Sequence, residues 1–167
     1  MRFLLTRELG RLAKWLRILG FDTVYFNQDN ISPSTTLRTD GERSRTISSL
    51  IIQALRDERI IITRNHRLPK SGGIKIVLIK AEKLAEQLPE VLGQLKIKPD
   101  PDKMFTRCII CNTELVDVDK EKTRDKVPEY VFQTQDDFIS CPECKRIYWS
   151  GTHWGNVKNT LEEIGVV

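Results

Sequence analysis

Arg2-Phe3-Leu4-Leu5-Thr6-Arg7-Glu8-Leu9-Gly10-Arg11-Leu12-Ala13-Lys14-Trp15-Leu16-Arg17-Ile18-Leu19-Gly20 changes its hydrophobic period in mid-course. Arg2 to Thr6 reads as a short buried strand, and Leu9, Leu12, Leu16 and Leu19 then recur at helical intervals until Gly20 stops the run. The pattern repeats downstream. Asp22 to Phe26 suits a second strand, Ile47 to Glu58 a helix with Leu50, Ile51, Ala54 and Leu55, and Arg59 to Thr63 a fully buried strand around Ile60-Ile61-Ile62. Gly72-Gly73 marks a turn before a strand at Ile74 to Ile79, and Glu82 to Leu95 reads as a closing helix that Pro89 should kink or split. Between them Asn27 to about Arg45 is polar and turn-rich, with Pro33 and Gly41, and reads as a long loop. Strands separated by helices imply an α/β fold, a parallel sheet covered by helices on both faces.

The C-terminal part obeys a different logic. The chain has four cysteines, arranged as two hooks, Cys108-Ile-Ile-Cys111 and Cys141-Pro-Glu-Cys144. Each hook turns two sulfurs toward one tetrahedral ion, so the spacing points to a structural zinc site with all four positions filled by thiolates. Iron, a redox role, two disulfides or four unrelated buried thiols are the alternatives. No secretion signal is read at Met1, where only Phe3-Leu4-Leu5 is apolar, so a reducing, cytoplasmic compartment is expected, and there paired thiols favour metal over disulfides. The expected division is an α/β domain over 1–98, a linker over 99–104 containing Pro99 and Pro101, and a zinc-ribbon module over 105–167 with a short helix at Asn156 to Ile164.

Charge separates the same two parts. Residues 1–100 hold 18 Lys and Arg against 11 Asp and Glu, whereas 101–167 hold 9 against 12. A polyanionic partner therefore suits the first part. No apolar stretch approaches the roughly 20 residues that span a bilayer, so no membrane partner is expected. On a helical wheel Arg7, Arg11 and Lys14 share a narrow sector opposite Leu9, Leu12 and Leu16, with Trp15 beside it and Arg17 nearby. The N-terminal end of that helix would lie at the carboxyl edge of the sheet, where open parallel sheets keep their ligands. Arg64 and His66, just past the third strand, would line the same edge. The plain alternative is an amphipathic helix with a solvated basic face.

Several of these stretches are shared with a known family. Phe3-Leu4-Leu5-Thr6, Leu9-Gly10-Arg11-Leu12-Ala13-Lys14-Trp15-Leu16-Arg17, Leu19-Gly20-Phe21-Asp22-Thr23 and Ile62-Thr63-Arg64-Asn65 resemble the Mut-seven C-terminal ribonuclease-domain family. Arg107-Cys108, Cys111-Asn112 and the run from Cys141 through Tyr148-Trp149-Ser150-Gly151-Thr152-His153-Trp154 resemble its ribbon. The resemblance implies a PIN-like parallel sheet flanked by helices, an appended zinc-ribbon module, RNA as the substrate class, and a carboxylate cluster holding Mg²⁺ or Mn²⁺ at the strand ends. Hydrolysis of a phosphodiester by such ions needs clustered anionic oxygens.

This chain departs from that pattern where the acids should be. Thr6 stands at the end of the first strand and Asn65 follows the Thr-Arg pair, both in place of Asp, and the middle acid falls on Thr46 or Ile47. Glu8 and Asp29 are the candidate substitutes, with Asp40 and Glu42 behind them. The expectation is an RNA-binding protein on a ribonuclease-like scaffold with a degenerate metal centre. Its RNA contacts would be Arg7, Arg11, Lys14, Arg17, Arg64 and His153, assisted by Lys145, Arg146 and Tyr148. An active metal-dependent ribonuclease and a protein-interaction adaptor are the other two readings.

Overall fold

The computed structural model describes residues 1–26, 40–68 and 73–166, without the side chains of 40–43 and 152–154. Four strands, β1 (Arg2–Leu5), β2 (Asp22–Tyr25), β3 (Ile60–Thr63) and β4 (Ile76–Leu78), form one parallel sheet in the order β2-β1-β3-β4. Its helices are α1 (Gly10–Ile18), α2 (Asp40–Arg56) and α3 (Leu84–Leu95). Leu4 and Ile61 from the sheet pack with Phe26 and with Leu50 and Ala54 of α2, all nearly excluded from solvent. Phe3, Leu5, Leu12, Leu16, Ile62 and Leu88 are fully buried as well. Each such side chain contributes about 1.5–3 kcal/mol relative to exposure, which offsets the entropy of ordering the short strands.

The strand order determines where a ligand can sit. Leu5 pairs with Tyr25 on one side and Ile62 on the other, so the chain leaves β1 toward β2 and leaves β3 toward β4. The two exits diverge between the carboxyl ends of β1 and β3, the crevice in which open α/β sheets bind ligands. The amino ends are closed by an ion pair: the Arg59 guanidinium grips Asp22 with contacts of 2.8 and 3.2 Å and also donates to the Phe3 carbonyl.

Three expected helix boundaries change. α2 begins at Asp40, inside the stretch read as a loop through Arg45. Its first apolar residue is Ile47, and Ser44 and Arg45 are exposed, so the start of the helix has no hydrophobic period to read. α3 runs through Pro89 as a single helix. Pro89 denies the Ala85 carbonyl its donor, but buried Leu88, Val91, Leu92 and Leu95 hold the helix down, and Gln87, Glu90 and Gln94 brace it against the backbone at Leu78 and Lys80–Glu82. The last helix, α5, covers Thr152–Glu163 and so begins four residues before the expected Asn156.

The chain divides into two compact units, Met1–Leu16 with Phe21–Ile97, and Arg17–Gly20 with Lys98–Val167. The second contains an antiparallel sheet of β5 (Val116–Val118), β6 (Phe138–Ser140) and β7 (Ile147–Trp149), a short α4 (Glu129–Thr134) and α5. Val127, Val131, Phe132 and Phe138 make its core, with Val118, Ile147 and Trp149 against them. Gly20 has φ +84°, and a Cβ there would run into the Lys103 carbonyl, so the position requires glycine twice over. Among the described residues no helix is long and apolar enough to cross a membrane.

Candidate functional site

At the crevice the two strand ends are joined through hydroxyls. The β1–β3 register carried one residue past Leu5 and Ile62 sets Thr6 beside Thr63, and their Oγ1 atoms are 2.9 Å apart. Arg7–Leu9 follows as a single 3-10 turn, which brings Glu8 back over the strand tips. Its Oε1 accepts from Thr6 Oγ1 at 2.5 Å, from the Arg64 backbone N–H at 3.2 Å and from Thr63 Oγ1 at 3.4 Å. Thr63 is fully buried, yet its oxygen also takes the Asn65 N–H at 3.0 Å. Asn65 turns its own Oδ1 to the Arg67 N–H, an Asx-turn that closes the loop after β3.

Thr6, Glu8, Thr63 and the Arg64–Asn65 backbone thus form one hydrogen-bonded cluster containing one carboxylate. Among the described residues the four cysteines are the only group of three or more metal-ligating side chains that converge. The Glu8 carboxylate answers these specific donors. Thr63 was missed in the sequence because a threonine ending an apolar run reads as ordinary strand, and only the pairing of β1 with β3 brings it to Thr6. Asp29 lies outside the described residues, as do the side chains of Asp40 and Glu42.

The basic residues divide into three kinds. Arg7, Arg11 and Lys14 are exposed and make no ion pair among the described residues. Because residues 7–9 are 3-10 rather than α, the wheel places Arg11 and Lys14 but not Arg7. Arg64 is half-buried and bonded to the exposed Glu82 at 3.0 Å. Arg17 departs from the stripe: it is 3% exposed, and its Nη1 donates to the carbonyls of Ile109 at 2.9 Å and Ile110 at 2.6 Å. A basic residue placed next to the apolar side of a helix is free to turn inward when carbonyls await it. His153 falls at the second residue of α5, with its side chain outside the description.

The second unit assembles its thiols from two equivalent turns. Cys108 N–H donates to the Thr113 carbonyl and Asn112 N–H returns to the Cys108 carbonyl; in the second hook Cys141 N–H donates to the Arg146 carbonyl and Lys145 N–H to the Cys141 carbonyl. The residue after each second cysteine adopts positive φ, Asn112 at 72° and Lys145 at 61°. This left-handed step reverses the chain so that both sulfurs of a hook face the same point. Across the hooks Cys108 Sγ lies 3.6 Å from Cys144 Sγ and Cys111 Sγ 3.3 Å from Cys141 Sγ, all four within 4.8 Å of one another. Tetrahedral ligation with metal–sulfur bonds of about 2.3 Å needs sulfurs about 3.8 Å apart, and disulfides need about 2.05 Å, so the arrangement suits an ion and not two bridges.

At Cys111 the surrounding donors support thiolate. Burial raises the Cys111 thiol, but hydrogen bonds from the Thr113 side chain and backbone and from Cys141 and Cys108 outweigh it and bring it down to about 6. Burial drives Cys141 the other way, to about 11. Tyr148 Oη sits 3.0 Å from Cys108 Sγ, and burial together with that sulfur raises its phenol. Tyr148, expected as a helper in RNA contact, therefore faces the cluster, while Trp149 packs on the unit's core.

Searches of curated proteins and of solved structures found no match. Residues 1–161 match the Mut7-C RNAse domain, and with nearly the whole chain so accounted for, the protein belongs to that family.

Proposed function

We propose that the chain binds single-stranded RNA along the carboxyl edge of its parallel sheet, and that metal-dependent hydrolysis has been lost from that edge. The observation that carries this reading is that one carboxylate, Glu8, is held by neutral Thr6 and Thr63, while Arg7, Arg11 and Lys14 are exposed and make no ion pair among the described residues. Neutral oxygens hold Mg²⁺ or Mn²⁺ weakly, because a hard cation that dehydrates reluctantly needs anionic ligands. Cations without partners, in contrast, gain by meeting phosphate and releasing its counterions. Membership of a ribonuclease family favours RNA over other polyanions. It equally supports the second reading, an active Mg²⁺- or Mn²⁺-dependent ribonuclease that recruits Asp29 beside Glu8.

The ion we assign to Cys108, Cys111, Cys141 and Cys144 is zinc, in a structural role. Four thiolates complete its shell and leave no open position for water, and thiolate donors accord with a reducing, cytoplasmic location. When bound, zinc supplies folding free energy to a unit with a small core of its own.

A labelled oligoribonucleotide titrated at several salt concentrations tests the reading. Arg7→Ala, Arg11→Ala and Lys14→Ala should each weaken binding by roughly threefold and reduce the slope of log K against log salt by about 0.7, the value for one single-strand phosphate contact. Salt-insensitive or absent binding would favour the protein-interaction adaptor. Cleavage stimulated by Mn²⁺ and lost in Glu8→Ala with Asp29→Ala would establish the second reading instead.

A further inference from the structure

We propose that the free edge of β7 is a docking site for an extended peptide, which adds to the antiparallel sheet as a further strand and places a bulky apolar side chain in the cleft beside it. The site lies wholly within the second unit and is independent of the RNA-binding reading above. It is supported by the direction of the strand's hydrogen bonds, by the cleft, and by the difference between the sheet's two edges.

In the register of β6 with β7, Cys141 N–H donates to the Arg146 carbonyl, so by alternation Ile139 and Tyr148 form the next hydrogen-bonded pair. The N–H and C=O groups of Ile147 and Trp149 therefore point away from β6, and β7 is the last strand on that side. Among the described residues no other part of the chain hydrogen-bonds to them. Donors and acceptors thus stand in a row at the spacing of a strand, the complement of another extended backbone.

A cleft of about 300 Å³ borders this edge, walled by Ile18, Phe105, Ile109 and Leu115 together with all three residues of β7. Ile147 and Trp149 pack against the core on one face of the sheet, whereas Tyr148 turns to Cys108 on the other. A space that touches all three runs along the open side of the strand. Its walls are largely apolar, and its volume is at the lower end of the roughly 300–1,000 Å³ of ligand pockets, which suits one large side chain better than a cofactor.

Sheet edges are ordinarily guarded by charge. On the opposite edge the backbone that points outward belongs to Asp117, an exposed acid. β7, Ile-Tyr-Trp, carries no charge, so its edge is unguarded where the cleft lies. Lys145 and Arg146, both exposed, come immediately before it and favour an acidic residue in the peptide at that end. An uncharged strand, in a part of the chain that holds 9 Lys and Arg against 12 Asp and Glu, suits a peptide and not a nucleic acid.

The test uses the full chain with its cysteine-bound ion in place, and a displayed library of random heptapeptides as the probe. Selection should enrich sequences that carry one bulky apolar residue and a nearby acid. The tightest of them is then synthesised, and its backbone is N-methylated one residue at a time. Methylation should weaken binding by about tenfold at alternate residues and by less than about twofold at the residues between, the mark of strand pairing. Val157→Glu, which puts a charge on the half-buried α5 wall of the cleft, should weaken binding by about tenfold while metal content and circular dichroism stay as they were. A library that yields no binder overturns the proposal, as does a peptide that tolerates methylation at every position or ignores Val157→Glu. Displacement of the peptide by an oligoribonucleotide, or by dimerisation of the chain, also overturns it, by assigning the edge to RNA or to a second copy.

Discussion

The cysteine cluster and the tips of the parallel strands are two places in one chain where atoms able to ligate a cation come together, and they are built on opposite terms. The cluster converges four donors of one kind through two near-identical turns, each with its own left-handed residue, Asn112 and Lys145. The strand tips converge donors too, but the oxygens there, Thr6, Thr63 and one arm of Glu8, already satisfy one another at 2.5 to 3.4 Å. Sulfurs too far apart to bond covalently leave their attraction for an ion unspent, whereas hydroxyls paired with a carboxylate have no lone demand left. Proximity of polar atoms is therefore a poor guide to cation binding unless their mutual bonds are counted.

The contrast can be broken most severely at the cluster. Cys108→Ser should abolish stoichiometric metal content and unfold β5–β7, costing several kcal/mol, since thiolate sites in small folds carry about 10–16 kcal/mol of apparent binding free energy. Metal analysis and hydrogen exchange over residues 107–150 measure it. A cluster that kept its ion with three sulfurs would mean that a fourth donor is easily recruited.

A gentler change leaves the sulfurs alone. Arg17→Met strips the hydrogen bonds to the carbonyls of Ile109 and Ile110, inside the first hook, and should cost about 1.5–3 kcal/mol, the range for hydrogen bonds to a charged group. Urea melts report the loss, and faster transfer of the ion to a chromophoric chelator reports the loosened hook.

The smallest expected change sharpens the contrast from the other side. Thr6→Asp with Asn65→Asp gives the strand tips the acids that the family resemblance expects. Without metal the double variant should lose about 1–2 kcal/mol, because new negative charges face Glu8. With Mn²⁺ it should regain stability, by about 2.7 kcal/mol at a hundredfold excess over Kd, whereas the natural chain should show no Mn²⁺-dependent rise in Tm.

Legibility in the sequence followed how local the causes were. Ile60-Ile61-Ile62 and the leucines of α1 declared themselves because burial and period are short-range properties, and the cysteine hooks because ligand spacing is fixed within four residues. The start of α2 is silent in the sequence because no apolar residue precedes Ile47, and the continuity of α3 through Pro89 is hidden because the braces at Gln87, Glu90 and Gln94 act on backbone outside the helix. The strand-tip cluster was half legible. Thr6, Glu8 and Asn65 were noted, yet Thr63 takes its meaning from a strand pairing across 57 positions. Arg17 misled for the same reason: its partners lie more than 90 residues away.

Those four residues from Arg17 to Gly20 have a practical bearing on dissecting the protein. A cut after Ile97 or before Phe105 looks natural by eye and would release the cysteine-bearing half as a fragment. Such a fragment would leave behind the arginine that fastens its first hook, the Ile18 carbonyl that receives Phe105, and the glycine that admits Lys103. Anyone transplanting the cysteine-bearing half into another protein should graft that tetrapeptide with it, or expect an insoluble product.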